Sequence, residues 1–459
     1  MQEDLLSARS PQGRWVVAAA VLGSGMALLD GTVVNIALRT IGDELQASIA
    51  ELQWVVNAYL LTLASLILVG GSLGDRFGRR AVFLVGVSWF AMASALCALS
   101  QDPVQLIVAR LLQGIGGALL TPGSLAMIQG SFRASDRGKV IGRWAGLGGI
   151  AAAIGPLLGG WILDVASWRW IFWINVPVAV VVIAIGLRHV PETRDPEAAR
   201  RFDVLGAVLG ALGLAGVTYA LIEAGKAYAG LAAGMGGAAL LLFLAIEHRR
   251  HQPLMPLHLF GSRVFSVANA MTVMVYGALG AMTFFLVLQL QVTSGYSPLA
   301  AGLSTVPITV VMLLFSSRAG DVATRIGPRW PMTIGPLLCA GGVLLLRGVG
   351  PAEPYFTGVF PGMVLFSVGL TTLVAPLTTT VLAAAPDRLA GVASGINNAV
   401  ARTGSLLAVA ALPAVVGING ADYQDPSLFT RGYAEALLVC AVLLTAGGVV
   451  SFLGLARTR

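Results

Sequence analysis

Residues 71–80 read Gly71-Ser72-Leu73-Gly74-Asp75-Arg76-Phe77-Gly78-Arg79-Arg80, and residues 321–329 read Asp321-Val322-Ala323-Thr324-Arg325-Ile326-Gly327-Pro328-Arg329. Each stretch closes an apolar run. Setting Arg76 on Arg325 places Gly78 on Gly327 and Arg80 on Arg329, an offset of 249. A second landmark gives nearly the same shift: Gly138 and Gly142 match Gly391 and Gly395 at an offset of 253. The chain therefore repeats itself. Two parallel repeats about an axis along the membrane normal are the plan of a secondary transporter whose site lies between the halves.

The composition demands a membrane. Of the 459 residues 56% are hydrophobic and only 11% charged, where a soluble domain carries about 25% charged residues. Too few charges exist to cover a water-soluble globule, and disorder is excluded because low hydrophobicity is its signature. Apolar runs of the length that crosses a bilayer, about 17–25 residues, cover 15–38, 52–72, 81–99, 103–128, 140–163, 170–187, 204–222, 228–246, 264–292, 299–317, 331–346, 355–380, 392–416 and 433–454. The expected fold is an all-α polytopic membrane protein of fourteen spans. Spans 1–6 form one six-helix bundle (residues 1–190) and recur as spans 9–14 (261–459). Spans 7 and 8, with their flanking loops (191–260), are an inserted pair.

The net charge of +7 does not point to nucleic acid, because the cations sit in short gaps between apolar runs and form no basic stripe. Their distribution sets the orientation instead. With the N-terminus inside, 22 of the 29 Lys and Arg residues fall on the cytoplasmic side and 5 outside, with Arg110 and Arg402 within spans. Both termini are expected in the cytoplasm and the chain in the inner (cytoplasmic) membrane. Cys97, Cys339 and Cys440 lie inside apolar runs, a poor setting for a disulfide or zinc. His189, His248, His251 and His258 fall in polar gaps with no ligand set to complete a metal site. The first run carries Asp30 and is followed by further spans, so it reads as a span and not a cleaved signal. No phosphate-binding Gly-x-x-x-x-Gly-Lys-Ser/Thr loop is present, which excludes ATP as the energy source within this chain. No span carries a nucleophile–base pair or a carboxylate dyad, so an enzyme is not expected.

Further motifs follow in order along the chain: Leu29-Asp30-Gly31-Thr32-Val33-Val34-Asn35-Ile36-Ala37-Leu38 in span 1, Arg110-Leu111-Leu112-Gln113-Gly114-Ile115-Gly116 in span 4, Gly155-Pro156-Leu157-Leu158-Gly159-Gly160 in span 5, and Trp168-Arg169-Trp170-Ile171-Phe172-Trp173-Ile174-Asn175-Val176-Pro177 at span 6. With the 71–80 loop, these resemble the fourteen-helix drug:proton antiporter branch of the major facilitator superfamily over almost the whole chain. Arg39 departs from that pattern, in which a proline usually follows the Ala-Leu pair. The resemblance implies a monomeric proton-coupled exporter of hydrophobic and often cationic compounds (drugs, dyes, antibiotics). The alternative is an exporter dedicated to one metabolite, such as a self-made antibiotic or a siderophore. Its partners are a small molecule, the proton and the bilayer, with no other cofactor.

Asp30 is the only carboxylate well inside a span. On insertion scales a carboxylate at mid-membrane costs at least about 2.5 kcal/mol, which makes it a functional-site hypothesis by default. It reads as a proton-binding group, or as a static partner for a buried cation. Depth arithmetic supplies that cation: at 1.5 Å rise per residue, Asp30 lies about 12 Å and Arg110 about 10 Å below the outer helix ends. Gln113, one turn from Arg110, falls on the same face. Arg402, midway along span 13, either faces the central cavity or serves backbone carbonyls. Asn35, Asn57, Tyr59, Gln289, Gln291, Asn397 and Asn398 are candidate polar contacts with substrate, and Tyr276, Phe284, Phe285 and Trp54 candidate aromatic faces. In the cytoplasmic loop, Gly71 and Gly78 permit a tight turn. Asp75 and Arg76, with Arg79 and Arg80, either latch the inner gate, Asp75 against a helix N-terminus in the other half, or only hold the loop inside. Gly155 and Gly159 present one small face for helix packing; Pro156 distorts that helix, and Gly160 completes the motif.

The charge bias makes a direct topological prediction. Single cysteines at Ala8 and Thr458 should escape a membrane-impermeant thiol reagent applied to intact cells and react once the cells are opened. Labelling of either from outside would reverse the orientation.

Overall fold

The computed structural model describes residues 5–194, 203–250, 253–386, 389–420 and 422–455. Arg200, Arg201, His251, Arg388, Arg457, Thr458 and Arg459, on which part of the topological reading rests, lie outside the described residues. The elements are α1 (Pro11–Leu45), α2 (Ile49–Phe77), α3 (Arg79–Leu99), α4 (Pro103–Ser131), α5 (Ala134–Val165), α6 (Trp170–Trp173), α7 (Asn175–His189), α8 (Val204–Ile222), α9 (Ala229–Arg249), α10 (Arg263–Val292), α11 (Pro298–Ser304), α12 (Val306–Ile326), α13 (Arg329–Leu346), α14 (Phe360–Ala383), α15 (Ala390–Val415) and α16 (Pro426–Gly454). Among the described residues, thirteen helices are long and apolar enough to cross a membrane. The sequence reading counts fourteen. The difference lies in α5, a 32-residue helix that contributes only the shorter apolar stretch Ile154–Val165 to that count.

Local chemistry explains where the helices begin and break. Ser10 Oγ accepts from Gly13 N ahead of Pro11. Ser48 and Glu51 form a reciprocal capping box at α2, and Asp102 caps α4 ahead of Pro103, so that orphan N–H groups are satisfied. The α2–α3 break falls at Gly78 (φ 120°) and the α12–α13 break at Gly327 (φ 79°). These two glycines stand 249 residues apart, and both need backbone angles that side chains resist. The repeat extends into the packing. Gly86 brings α3 against α4, and Gly335, again 249 residues on, brings α13 against α14. At Gly70 a Cβ would stand 2.0 Å from the carbonyl oxygen of Ala118, so α2 touches the α4 backbone directly.

In the first half α1 packs on α5, and α2 and α3 on α4; in the second, α10 packs on α15 and α16, and α14 on α12 and α13. The inserted helices α8 and α9 pack on each other, and α8 also touches α2 and α15, one helix from each half. Two corners anchor them. Trp54 Nε1 donates to Glu223 Oε1 at 3.2 Å, while Glu223 Oε2 accepts from Lys226 at 2.5 Å, a hydrogen bond that holds this ammonium above its ordinary range. At the other end Asp203 caps α8 through Gly206 N and pairs with Arg250.

The hydrogen bonds between the halves, among the described residues, gather at the end away from the chain termini. Gln53 Nε2 donates to the carbonyls of Val409 and Ala410 at 2.7 and 2.9 Å. Gln291 Nε2 donates to Ile36 O at 2.9 Å, Arg39 to Gln291 O, Tyr423 OH to Ala47 O at 2.9 Å and Ile49 N to Gly420 O at 2.8 Å. The bundle is tied at one end.

The Gly70 approach makes a stability prediction. Gly70→Ala should lower stability by about 1–3 kcal/mol, the usual range for overpacking. Gly138→Ala, whose Cβ would meet nothing within 4 Å, should leave it unchanged or slightly higher. Paired melting curves in detergent would decide; equal melting temperatures would disprove the close approach.

Candidate functional site

Asp30 and Arg110 meet at the middle of the first half. Arg110 Nη1 lies 2.5 Å from Asp30 Oδ2, and the two side chains are 1% and 0% exposed. The helix faces bring this about: Gly114 and Gly117 let α4 lie against Tyr59 and Thr62 of α2, which turns Arg110 inward. Gln113 Nε2 donates to Asp30 Oδ1 at 2.8 Å, and Gln113 Oε1 accepts from Arg110 Nη1 at 2.6 Å. Arg110 Nε donates to Val55 O at 3.1 Å. Both carboxylate oxygens are thus engaged, as a buried charge requires.

A second ring of side chains holds Gln113. Its Nε2 reaches Ser94 Oγ at 3.3 Å; Ser94 accepts from Asn175 Nδ2 at 2.9 Å and donates to Phe172 O at 2.9 Å. Cys97 Sγ approaches Gln113 Oε1 at 3.5 Å. The Tyr59 ring lies over the guanidinium, 4.4 Å from ring centroid to Cζ, with Phe172 at 5.8 Å. Sequence reasoning missed Ser94 and Cys97, ordinary residues of an apolar run. Asn175 carried a signal, its place in the motif at span 6.

The other candidates divide by what they touch. Asn35 Nδ2 donates to Gly31 O and Asn398 Nδ2 to Ser394 O, each within its own helix. Asn397 reaches Asn269 and Thr272 inside the second half. Gln289 and Phe284 make their contacts within the second half. Gln289 is spent on Val349 O and Thr430 Oγ1, and Phe284 is fully buried, edge-on to Phe285, which stacks on Phe429. Gln291 ties the halves, as described. Asn57 is 0% exposed with neither amide atom bonded; it stands on α2 between the Gln53 face, turned to α15, and the Trp54 face, turned to α8. Tyr276 and Arg402 are half-buried. An apolar pocket of about 580 Å³ lined by Tyr296, Leu303, Pro307, Val311, Tyr355 and Phe360 belongs to the second half alone and holds none of this chemistry.

The 71–80 loop makes its contacts within the first half and with Glu192 just beyond it. Asp75 Oδ1 accepts from Arg79 Nε at 2.9 Å and lies 2.8 Å from its Nη2, with no bond to the second half among the described residues. The reason is the geometry above: the halves are tied at the opposite end. Arg76 lies over the ring of its neighbour Phe77. Arg80 pairs with Glu192, which accepts from Arg80 N and Ala81 N at the start of α3. A Cβ on Gly78 would strike Glu192 at 2.7 Å, whereas Gly71 has Pro122 no nearer than 3.7 Å. In α5, Gly155 and Gly159 face Thr32 and Val33 of α1. Gly160 and the Pro156 carbonyl face Leu299 and Gly302 of α11, so this motif packs on both halves.

Residues 20–409 match the family model described as Major Facilitator Superfamily. The chain is 35% identical, over 92% of its length and 78% of the relative's, to the tetracenomycin C resistance and export protein of Streptomyces glaucescens. It is 34% identical to a puromycin resistance protein of Streptomyces alboniger, over 95% of the chain and 90% of that protein. Identity to the methylenomycin A resistance protein of Bacillus subtilis is 33%, over 95% and 94%. Among solved structures, an inward-facing bacterial homologue of the human lysosomal transporter Spinster superposes with a TM-score of 0.68 at 17% identity, covering 97% of both chains. A D-xylose–proton symporter gives 0.65 at 15%, covering 97% of this chain and 98% of that one.

The buried pair sets an energetic expectation. Arg110→Leu strands a buried carboxylate and should lower stability by about 3–5 kcal/mol, and the double change Asp30→Leu with Arg110→Leu should recover most of it. A double-mutant cycle by melting measures this; simple additivity would mean the two side chains do not interact.

Proposed function

We propose that this chain, which belongs to the Major Facilitator Superfamily, is a proton-coupled antiporter that exports hydrophobic small molecules such as drugs, dyes and antibiotics by alternating access. One observation carries the coupling: the only carboxylate well inside a span is fully buried against a guanidinium from another helix. Protonation of Asp30 removes the charge that Arg110 balances. The guanidinium then keeps only Val55 O and Gln113 Oε1, and the hold between α1 and α4 weakens. Tyr59, stacked on Arg110 and carried by α2, which packs on α15 of the other half, passes the change across the seam.

The protein works as a monomer of fourteen spans in the inner membrane with both termini cytoplasmic. In that orientation the tied end is outside and the conformation is open to the cytoplasm. Asp75 and Arg76 form the inner latch in the opposite state, when the loop meets the second half. The seam at Gly160 and Pro156 then acts as the pivot. A second reading, an exporter dedicated to one antibiotic, is favoured by relatives named for single compounds. Growth inhibition over a chemically diverse panel separates the two readings, since a dedicated exporter protects against one scaffold only.

In inverted membrane vesicles energised by a pH gradient, Asp30→Asn should reduce dye transport to background while the protein remains inserted at normal levels. Wild-type rates in that variant would remove Asp30 from the coupling mechanism.

A further inference from the structure

Arg402 is the second guanidinium within the membrane, and it is set differently from Arg110. It stands midway along α15 (Ala390–Val415), about 18–20 Å from either helix end. Among the described residues it pairs with no carboxylate, and every ion pair there is made by other cations. It is half-buried. A guanidinium at this depth, too far from either end to reach water along the helix, is unfavourable unless something of opposite charge or a wet cavity meets it.

The face it occupies is turned toward the other half. At 100° per residue, Gly395, Arg402 and Val409 fall within about 40° of one another. Gly395 looks onto Leu68 of α2, where an added Cβ would come within 3.1 Å, and Val409 O accepts from Gln53 of α2. Arg402 lies between these two contacts. On α10, Gly277 lies against the carbonyl of Gly404, two residues from Arg402, and Tyr276 is its chain neighbour.

The charge available to a ligand follows. Asp30 has both oxygens bonded and its side chain 0% exposed, so it presents nothing to a cation at the seam, and with Arg110 it sums to zero. Arg402 remains, with a positive charge and no acid beside it. We propose that Arg402 is the charged subsite of the substrate cavity and that it receives an acidic group, a carboxylate above all, on a hydrophobic substrate. A planar guanidinium matches a carboxylate with two parallel hydrogen bonds, and the half-buried Tyr276 ring on α10 offers flat apolar contact. The inference rests on the exporter reading and narrows it: neutral hydrophobic compounds remain substrates, and among charged ones acids are preferred to cations.

Two xanthene dyes of like shape and opposite charge test this, fluorescein with its carboxylate and the cation rhodamine 6G. Fluorescence polarisation on the purified full-length protein should give fluorescein the tighter binding. Arg402→Gln should weaken fluorescein about 10- to 100-fold, the scale of a hydrogen bond to a charged group, and leave rhodamine 6G unchanged or tighter. Arg402→Lys should keep part of the preference. A wild type that binds the cation as well as the anion, or binds neither, overturns the proposal without need of any variant. So does an Arg402→Gln protein of normal melting temperature whose fluorescein affinity is unchanged. Proton-driven transport in vesicles tests the export reading separately. Anion preference without gradient-driven movement removes export and leaves the subsite; driven export of fluorescein, untouched by Arg402→Gln, removes the subsite and leaves export.

Discussion

A charge in hydrocarbon must be answered by another charge and by hydrogen bonds, or it is not kept. In this protein Asp30 imposes that condition, and much of the first half is arranged to meet it. Arg110 and Gln113 from α4 take its two oxygens. The backbone of α2 takes the remaining direction of Arg110, and α3 and α7 hold Gln113 through Ser94 and Asn175. The close glycine contacts of α4 follow from the same need, because helices kept apart by side chains could not bring these groups within hydrogen-bonding distance. A network of this kind is rigid while every member is satisfied and becomes a point of change when one proton is added.

The halves are joined by a different chemistry. Where the first half has an ion pair at its centre, the seam is made of side-chain amides, one phenol, one backbone N–H and the Arg39 guanidinium donating to backbone carbonyls, and of glycines pressed against backbone. Apart from Arg39, these contacts carry no net charge and are local, so they can be exchanged for water when the bundles rock. The inserted helices touch one helix of each half through α8 alone. They form a brace beside the seam and contribute little to its interior.

Much of this was legible in the sequence, and the reasons for the rest are physical. Span positions follow from hydropathy, and the repeat from the loop residues around Gly78 and Gly327, whose positive φ angles show why glycine recurs there. The pairing of Asp30 with Arg110 could be read because two unlike charges at one depth in a membrane have few other partners. Gln289 and Phe284 could not be placed, since polarity or aromaticity within a span does not say which neighbour a helix face meets. The cap that Glu192 gives to α3 was equally hidden: it joins residues more than a hundred positions apart through a loop with no hydrophobic period. Asp75, which among the described residues bonds only Arg79 of its own half, could not be placed either, since which partner a loop carboxylate meets is a property that no local stretch encodes.

The placement of Asp30 has a consequence for how the protein can diversify. In the proposed mechanism Asp30 is the proton site, and among the described residues both its hydrogen-bond partners come from the first half. On that proposal proton and cargo bind different atoms, and communication between them is mechanical. Side chains lining the other half can then drift, accepting new cargo chemistry, without altering the group that takes up the proton. A transporter partitioned in this way can change what it carries over evolutionary time while its energy source stays fixed.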